Sequence, residues 1–135
     1  LIFEDQSIMM TKLIYLFFLA GYLFIGTAQS HHSFTAEFTA EKIIKLNGNI
    51  QEVWFRNPHV RYLLSVETSE EESETWDLRG SPVVWLARKG WTKDLVAVGD
   101  KIIVEGYPGH NGRKMLSIIK MTLSDGTILI DRAPE

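Results

Sequence analysis

The 135-residue sequence contains no cysteine, and its 14 lysine and arginine residues are outnumbered by 17 aspartate and glutamate residues. The absence of cysteine excludes disulfide bonds, thiolate metal sites, a cysteine nucleophile and a lipid anchor on cysteine. From His31 onward the chain carries 13 basic and 15 acidic side chains, a formal charge of −2. It therefore lacks the basic excess of nucleic-acid-binding proteins, and we do not expect nucleic acid to be its partner.

Sequence motifs of the common enzyme classes are missing as well. There is no Gly-x-Ser-x-Gly nucleophile motif, no phosphate-binding loop and no dinucleotide fingerprint. No two acidic residues are set apart by their spacing for acid–base catalysis. We therefore expect no catalytic residues, and the sequence indicates a binding or accessory module rather than an enzyme.

The N-terminal segment has the pattern of a secretory signal peptide. An apolar run, Leu13–Ile25, follows Lys12 and precedes small and polar residues, which is the order typical of a signal for export. The run is shorter than the ~20 residues that span a membrane. We therefore predict a signal peptide at 1–30 and a periplasmic or secreted protein with no stable membrane anchor after cleavage. An uncleaved N-terminal anchor is the alternative.

The sequence allows two translation starts and two cleavage sites for this segment. Acidic residues upstream of Met9 oppose the basic start of a signal peptide, so we expect translation to begin at Met9 or Met10 and the preceding residues not to be translated. Cleavage after Ala28 and cleavage after Ser30 both satisfy the preference for small residues. The second cut would leave His31 as the first residue of the mature protein.

Residues 31–135 are predicted to form a single domain that is mainly β. Five segments have the apolar alternation and flanking turn residues of strands; they lie near 43–55, 60–66, 76–78, 102–106 and 115–123. The apolar phase of the first slips after Ile50, close to Gly48, which predicts a β-bulge. Asp125–Gly126 predicts a tight turn into a terminal hairpin arm.

One helix is predicted between the third and fourth strands. Ser81 is expected as its N-cap, Pro82 as its first residue and Gly90 as its end. Three strands, a helix and two strands is the order of the OB fold. The predicted fold class is therefore a small OB-like five-stranded barrel with one short helix between strands 3 and 4, plus a C-terminal hairpin arm. An open sandwich of the same strands is the alternative.

Short motifs spread over residues 31–130 support a family resemblance. They include His31-His32-Ser33-Phe34, Asn57-Pro58-His59, Arg88-x-Gly90-Trp91-Thr92 and Val104-Glu105-Gly106. In this order they resemble a family of small exported proteobacterial proteins whose domain has no assigned function. The resemblance implies export and a small β-barrel, and it implies no reaction.

The four histidines are the candidate metal ligands. His31 and His32 stand at the predicted mature N-terminus, His59 in the loop after the first strand and His110 in the loop after the fourth. A nitrogen-rich site without cysteine favours Cu(II). After either cut, the terminal amine and the His31 imidazole can chelate copper, so we predict Cu(II) binding there and no other cofactor. His59 bonded to a turn carbonyl, and a solvated His110, are the alternatives.

The predicted function is an exported binding or accessory module for an envelope partner or small ligand, with Cu(II) at its N-terminus. One alternative is a small copper-dependent oxidase or monooxygenase, and another is an OB-type binder of sugars or oligonucleotides. Aromatic residues could supply a stacking platform for the latter: Trp54, Tyr62, Trp76, Trp85, Trp91 and Tyr107. We expect Trp76 and Trp91 to pack in the core instead. Three arginines could form an anion-binding face or be exposed separately: Arg56, Arg61 and Arg79.

Overall fold

Six strands and two short α-helices are found in the part of the chain that the structure, a computed structural model, describes: residues 12, 15, 31–69 and 72–132. The helices and strands are α1 (His31–Glu37), β1 (Ile44–Trp54), β2 (Arg61–Glu67), β3 (Ser73–Arg79), α2 (Val83–Ala87), β4 (Lys101–Pro108), β5 (Met115–Thr122) and β6 (Ile128–Ile130). The predicted signal peptide and its cleavage sites lie outside the described residues, apart from residues 12 and 15. No helix within the described ranges is long and apolar enough to cross a membrane.

The first five strands close into a barrel. β1 pairs antiparallel with both β2 and β4, β2 pairs with β3, and β4 pairs with β5. The ring closes where β5 runs parallel to β3, with Leu78 opposite Leu116. The sixth strand, β6, pairs with β5 and lies outside the ring. The predicted fold class, a small five-stranded β-barrel with a short helix after the third strand and a terminal arm, is confirmed.

The long strand β1 belongs to both halves of the barrel. Its first half, from Ile44 to Asn49, pairs with β4, and its second half pairs with β2. The register shifts between Ile50 and Glu52, so the bulge follows the predicted slip in apolar phase. Gly48 is required nearby, because a Cβ there would lie 2.1 Å from the carbonyl oxygen of Ser65.

The barrel core is made of apolar side chains from all five strands and from the segment that contains α2. Leu86 and Trp91, which flank the end of α2, are almost completely buried in this core. Trp91 Nε1 donates to the carbonyl oxygen of Ile130 at 3.2 Å. The prediction that Trp91 packs in the core is therefore confirmed, and α2 lies at the barrel end where β3 finishes and β4 begins.

The predicted N-cap of α2 is wrong. The helix begins at Val83, and Pro82 occupies the N-cap position with φ −55° and ψ 147° and no side-chain capping bond. Ser81 instead donates its backbone N–H to Oδ2 of the buried Asp131 at 2.8 Å. This contact spans 50 residues, so local capping preference could not indicate it. The helix itself ends at Ala87, and the turn that follows it ends at the predicted Gly90, whose φ of +88° favours glycine.

Candidate functional site

An acidic side chain holds two arginines together on the outer surface of β2 and β3. Asp77 Oδ1 accepts a hydrogen bond from Arg61 Nε at 2.5 Å, and its Oδ2 accepts one from Arg79 Nε at 2.9 Å. Arg79 Nη2 lies 2.7 Å from the same oxygen. Asp77 and Arg79 point to the same side because they are two residues apart in one strand. Arg61 reaches them because it pairs directly with Arg79 across the sheet.

The neighbouring strand adds an aromatic support. Trp54 is the partner of Arg61 in the β1–β2 pairing, and the guanidinium carbon of Arg61 lies 4.5 Å from the centre of the Trp54 ring. This distance is within the range of cation–π interactions. Arg61 is therefore held by a carboxylate at one edge and by an indole beneath its plane. We call the four residues Trp54, Arg61, Asp77 and Arg79 the arginine face.

The arginine face carries two positive charges against one negative charge. The hydrogen bond to Asp77, followed by the charges of Asp77 and Glu37, raises the pKa of Arg79 above its ordinary value. Arg61 and Arg79 are still 38% and 37% exposed, whereas Asp77 is 14% exposed. The hydrogen bond between Arg61 and Asp77 is made by the Nε of Arg61. The face can therefore donate paired hydrogen bonds to an incoming anion.

Helix α1 is packed against the outer surface of β4 and β5. The ring of Phe34 lies 5.6 Å from that of Phe38 and 5.7 Å, edge-on, from that of Tyr107. Phe38 and Tyr107 are almost completely buried. Arg132 places its guanidinium carbon 5.4 Å from the centre of the Phe34 ring. Helix α1 and Phe38 are therefore part of the same compact unit as the barrel.

Two of the four predicted metal ligands, His59 and His110, lie in different loops. His59 is exposed in the loop between β1 and β2, while His110 starts a short 3₁₀ segment between β4 and β5. His110 Nε2 lies 2.8 Å from the carbonyl oxygen of Thr35. His31 and His32 form the first turn of α1, and their side chains lie outside what the structure describes.

His110 contacts the backbone of α1 about one helical turn beyond His31. The backbone of Thr35 is about 6 Å along the axis of α1 from that of His31, and helix carbonyls point toward the C-terminal end. The ring of His110 therefore meets α1 at the end away from His31. Among the side chains that are described, no three metal-ligating residues cluster. Copper binding stays a prediction.

The predicted aromatic platform does not form one surface. Tyr62, Trp91 and Tyr107 are buried in the domain. Trp85 is 59% exposed on α2, and the half-buried Trp54 is covered by Arg61 on the outer face. Trp76 is half-buried rather than a core residue, because one side packs on the core and the remainder lines a groove.

Of the three predicted anion-binding arginines, two converge. Arg61 and Arg79 share Asp77, whereas Arg56 is exposed in the loop after β1. Asp77 is the residue that sequence reasoning missed. The alternation of Asp77 and Arg79 in β3 is an available signal, but the contact with Arg61 depends on strand register.

Comparison with known proteins agrees with the family resemblance. No curated protein matches the chain. A family model matches residues 23–117, which contain all four residues of the arginine face and the four histidines. The match covers more than half of the chain, and the chain therefore belongs to the Family of unknown function (DUF6152).

Proposed function

We propose that this chain is an exported binding module, not an enzyme, whose arginine face holds the carboxylate groups of an acidic glycan. The single observation that carries the proposal is the pair of guanidinium groups held side by side by Asp77 while both remain partly exposed. Arginine forks match the planar, bidentate geometry of carboxylates. A ligand with carboxylates at regular intervals could engage both.

The side chains of the arginine face are preorganised for binding in the unbound protein. Asp77 fixes Nε of both arginines, and Trp54 supports the plane of Arg61. Ordering a long side chain on binding normally costs about 0.5–1.5 kcal/mol. Because these contacts already restrict the two arginines, part of that cost is met in the unbound protein.

Position and charge favour a glycan over a nucleic acid. OB folds bind ligands across strands 2 and 3, beside the loops that flank them, and the arginine face lies on these strands. Single-stranded nucleic acids also need exposed rings on which bases stack, but Trp54 is covered and Tyr62 is buried. The formal charge of −2 from His31 onward also disfavours a polyphosphate ligand.

Isothermal titration calorimetry with hexagalacturonate tests the proposal. We expect binding that weakens as NaCl is raised from about 20 to about 300 mM, because exposed charges are screened. Arg61→Gln and Arg79→Gln should each weaken binding about tenfold, since each removes charge-assisted hydrogen bonds. Arg88→Gln, an exposed change after α2, is the matched control and should change little.

Three outcomes would overturn the proposal. The first is equal binding of maltohexaose, which has no carboxylates. The second is tighter binding of oligothymidylate, which would indicate nucleic acid as the ligand. The third is an equal loss of hexagalacturonate binding in Arg88→Gln, which would indicate attraction by overall charge rather than by the arginine face.

A further inference from the structure

We propose that the open end of the barrel is a second binding site, for a single sugar ring that carries a carboxylate. This end lies opposite α2. It is formed where β1 begins, where β4 ends and where β5 begins, because Ile44 pairs with Gly106 and Pro108 pairs with Leu116. We call it the barrel mouth. The inference does not require the arginine face to bind a ligand.

The barrel mouth contains a groove of about 420 Å³. That volume falls within the range of small-molecule sites in proteins. Trp76 lies in its wall, half-buried, with one side against the barrel core. Thr39 and Asn111, on the rim, supply a hydroxyl and an amide. The exposed part of the Trp76 ring, beside these polar rim groups, suits a sugar ring, whose C–H groups contact aromatic carbons while its hydroxyls make hydrogen bonds.

Positive charge surrounds the same groove. Arg113 Nη2 donates to the carbonyl oxygen of Glu37 at 3.1 Å, and its Nε donates to that of His110 at 3.4 Å. These partners are uncharged, so the guanidinium is positioned without being neutralised. Lys42 also lines the groove and has no ion pair with any described residue. Glu41 is the opposing charge on the rim.

A third cation lies over the tryptophan ring, and the part of the ring that stays exposed faces the groove. Lys114 Nζ is 5.2 Å from the centre of the Trp76 ring and 2.8 Å from Glu74 Oε2. The hydrogen bond from Lys114 lowers the pKa of Glu74, so this pair stays ionised and compensates itself. Lys42 and Arg113 against Glu41 then leave one uncompensated positive charge, which matches one carboxylate.

The four indole N–H groups allow a direct test by ¹H–¹⁵N NMR. Trp76 reports on the barrel mouth, Trp54 on the arginine face, Trp85 on the exposed side of α2, and Trp91 on the core. The protein is titrated with galacturonate, with galactose, which lacks the carboxylate, and with gluconate, which lacks the closed ring. We expect galacturonate to shift the Trp76 signal saturably, with weak binding in the millimolar range, and the other two ligands to have little effect.

Substitutions on the rim test whether the barrel mouth holds the carboxylate. Arg113→Gln and Lys42→Gln should each weaken galacturonate binding at least about fivefold, because each removes a partner of the carboxylate. Arg88→Gln, an exposed change remote from the groove lining, should leave the Trp76 titration unchanged. An unchanged Trp91 signal establishes that a variant is folded, and Lys42→Gln alters only an exposed side chain.

The proposal is overturned if gluconate shifts Trp76 as strongly as galacturonate, which would indicate a simple anion site. It is also overturned if galactose does so, or if Trp76 does not move. Comparison of galacturonate with hexagalacturonate separates a free sugar acid from a chain end. Tighter binding of the hexasaccharide at Trp76 alone identifies a chain end, and equal binding identifies the free acid.

Discussion

Arg61 and Asp77 are joined by a 2.5 Å hydrogen bond across the β2–β3 pair, and Asp77 also holds Arg79. Removing this carboxylate leaves two neighbouring guanidinium groups that repel each other. We expect Asp77→Asn to lower the free energy of unfolding by about 1 kcal/mol, the usual size for partly exposed charged contacts. Urea denaturation measures the change.

The control for the Asp77 substitution is a less buried acidic residue that also lies between two cations, Glu105. Glu105 lies 3.8 Å from Lys45 and 3.2 Å from Lys120. Because these distances are longer, Glu105→Gln should cost less than about 0.5 kcal/mol. Equal effects of the two substitutions would mean that Asp77 has no special part in organising the arginine face.

Gly48 and Ser65 are in contact where β1 turns from one half of the barrel to the other. A Cβ at Gly48 would lie 2.1 Å from the Ser65 carbonyl oxygen, which belongs to the backbone and has little room to move. We expect Gly48→Ala to destabilise the protein by about 3 kcal/mol or more. Gly112→Ala has no neighbour within 4 Å and only a φ of +73° to accommodate, so it should cost about 1 kcal/mol. Denaturation midpoints in urea that fall in the reverse order would contradict this steric role of Gly48.

Tyr62 makes the stability of the domain depend on alkaline pH. Burial, with a smaller contribution from the negative charge of Asp131, raises the pKa of Tyr62. Above pH of about 10 the unfolded chain loses this proton and the folded protein keeps it. The stabilisation is therefore complete below pH of about 10 and is lost as pH rises further, by about 1.4 kcal/mol per pH unit.

The measurement for Tyr62 is the free energy of unfolding between pH 8 and pH 11.5 for the wild-type protein and for Tyr62→Phe. The phenylalanine variant has no hydroxyl to titrate and should show a shallower decline above pH 10. If the two curves of unfolding free energy against pH are parallel, groups other than Tyr62 cause the loss of stability at alkaline pH.

Copper binding at the N-terminus is the prediction that depends most on correct processing. We expect protein with the natural mature terminus to bind Cu(II) through the terminal amine and His31, because Cu(II) favours nitrogen ligands. Copper titration of the processed protein should show loss of affinity when the amine is acetylated, or when His31 and His32 are replaced by alanine. Unchanged affinity after both changes would remove the terminal site. Parallel titrations of His59→Ala and His110→Ala determine whether either histidine completes it.

The sequence predicts the parts of this protein that depend on neighbours in the chain. Alternation in Tyr62 and Leu64 marks a strand, and Gly90 marks the end of the turn that follows α2. The order of such segments along the chain is that of the OB fold, and the barrel could therefore be predicted from them. The N-terminal boundary of α2 could not be predicted from nearby residues, because Asp131, which is distant in sequence, accepts a hydrogen bond from the backbone of Ser81.

The arginine face could also be predicted only in part, because it depends on contacts between residues distant in sequence. Arg61 and Arg79 are recognisable as candidates in the sequence, but their convergence depends on the register of β2 against β3 and on Asp77, which no motif marks. The groove at the barrel mouth is hidden in the sequence because its wall, Trp76, has the same alternation as a core residue. Trp76 nevertheless remains partly exposed in the closed barrel and lines the groove.

Carboxylate binding by the arginine face is tested most directly by a ¹H–¹⁵N NMR titration with hexagalacturonate that follows the Trp54 indole signal and the Nε–H signals of Arg61 and Arg79. We expect all three to shift together and saturate, while the Trp91 signal stays in place. We also expect Asp77→Asn to reduce these shifts while the Trp91 signal still reports a folded core. Shifts confined to other surfaces, or no shift of the two arginine signals, would contradict binding at this face.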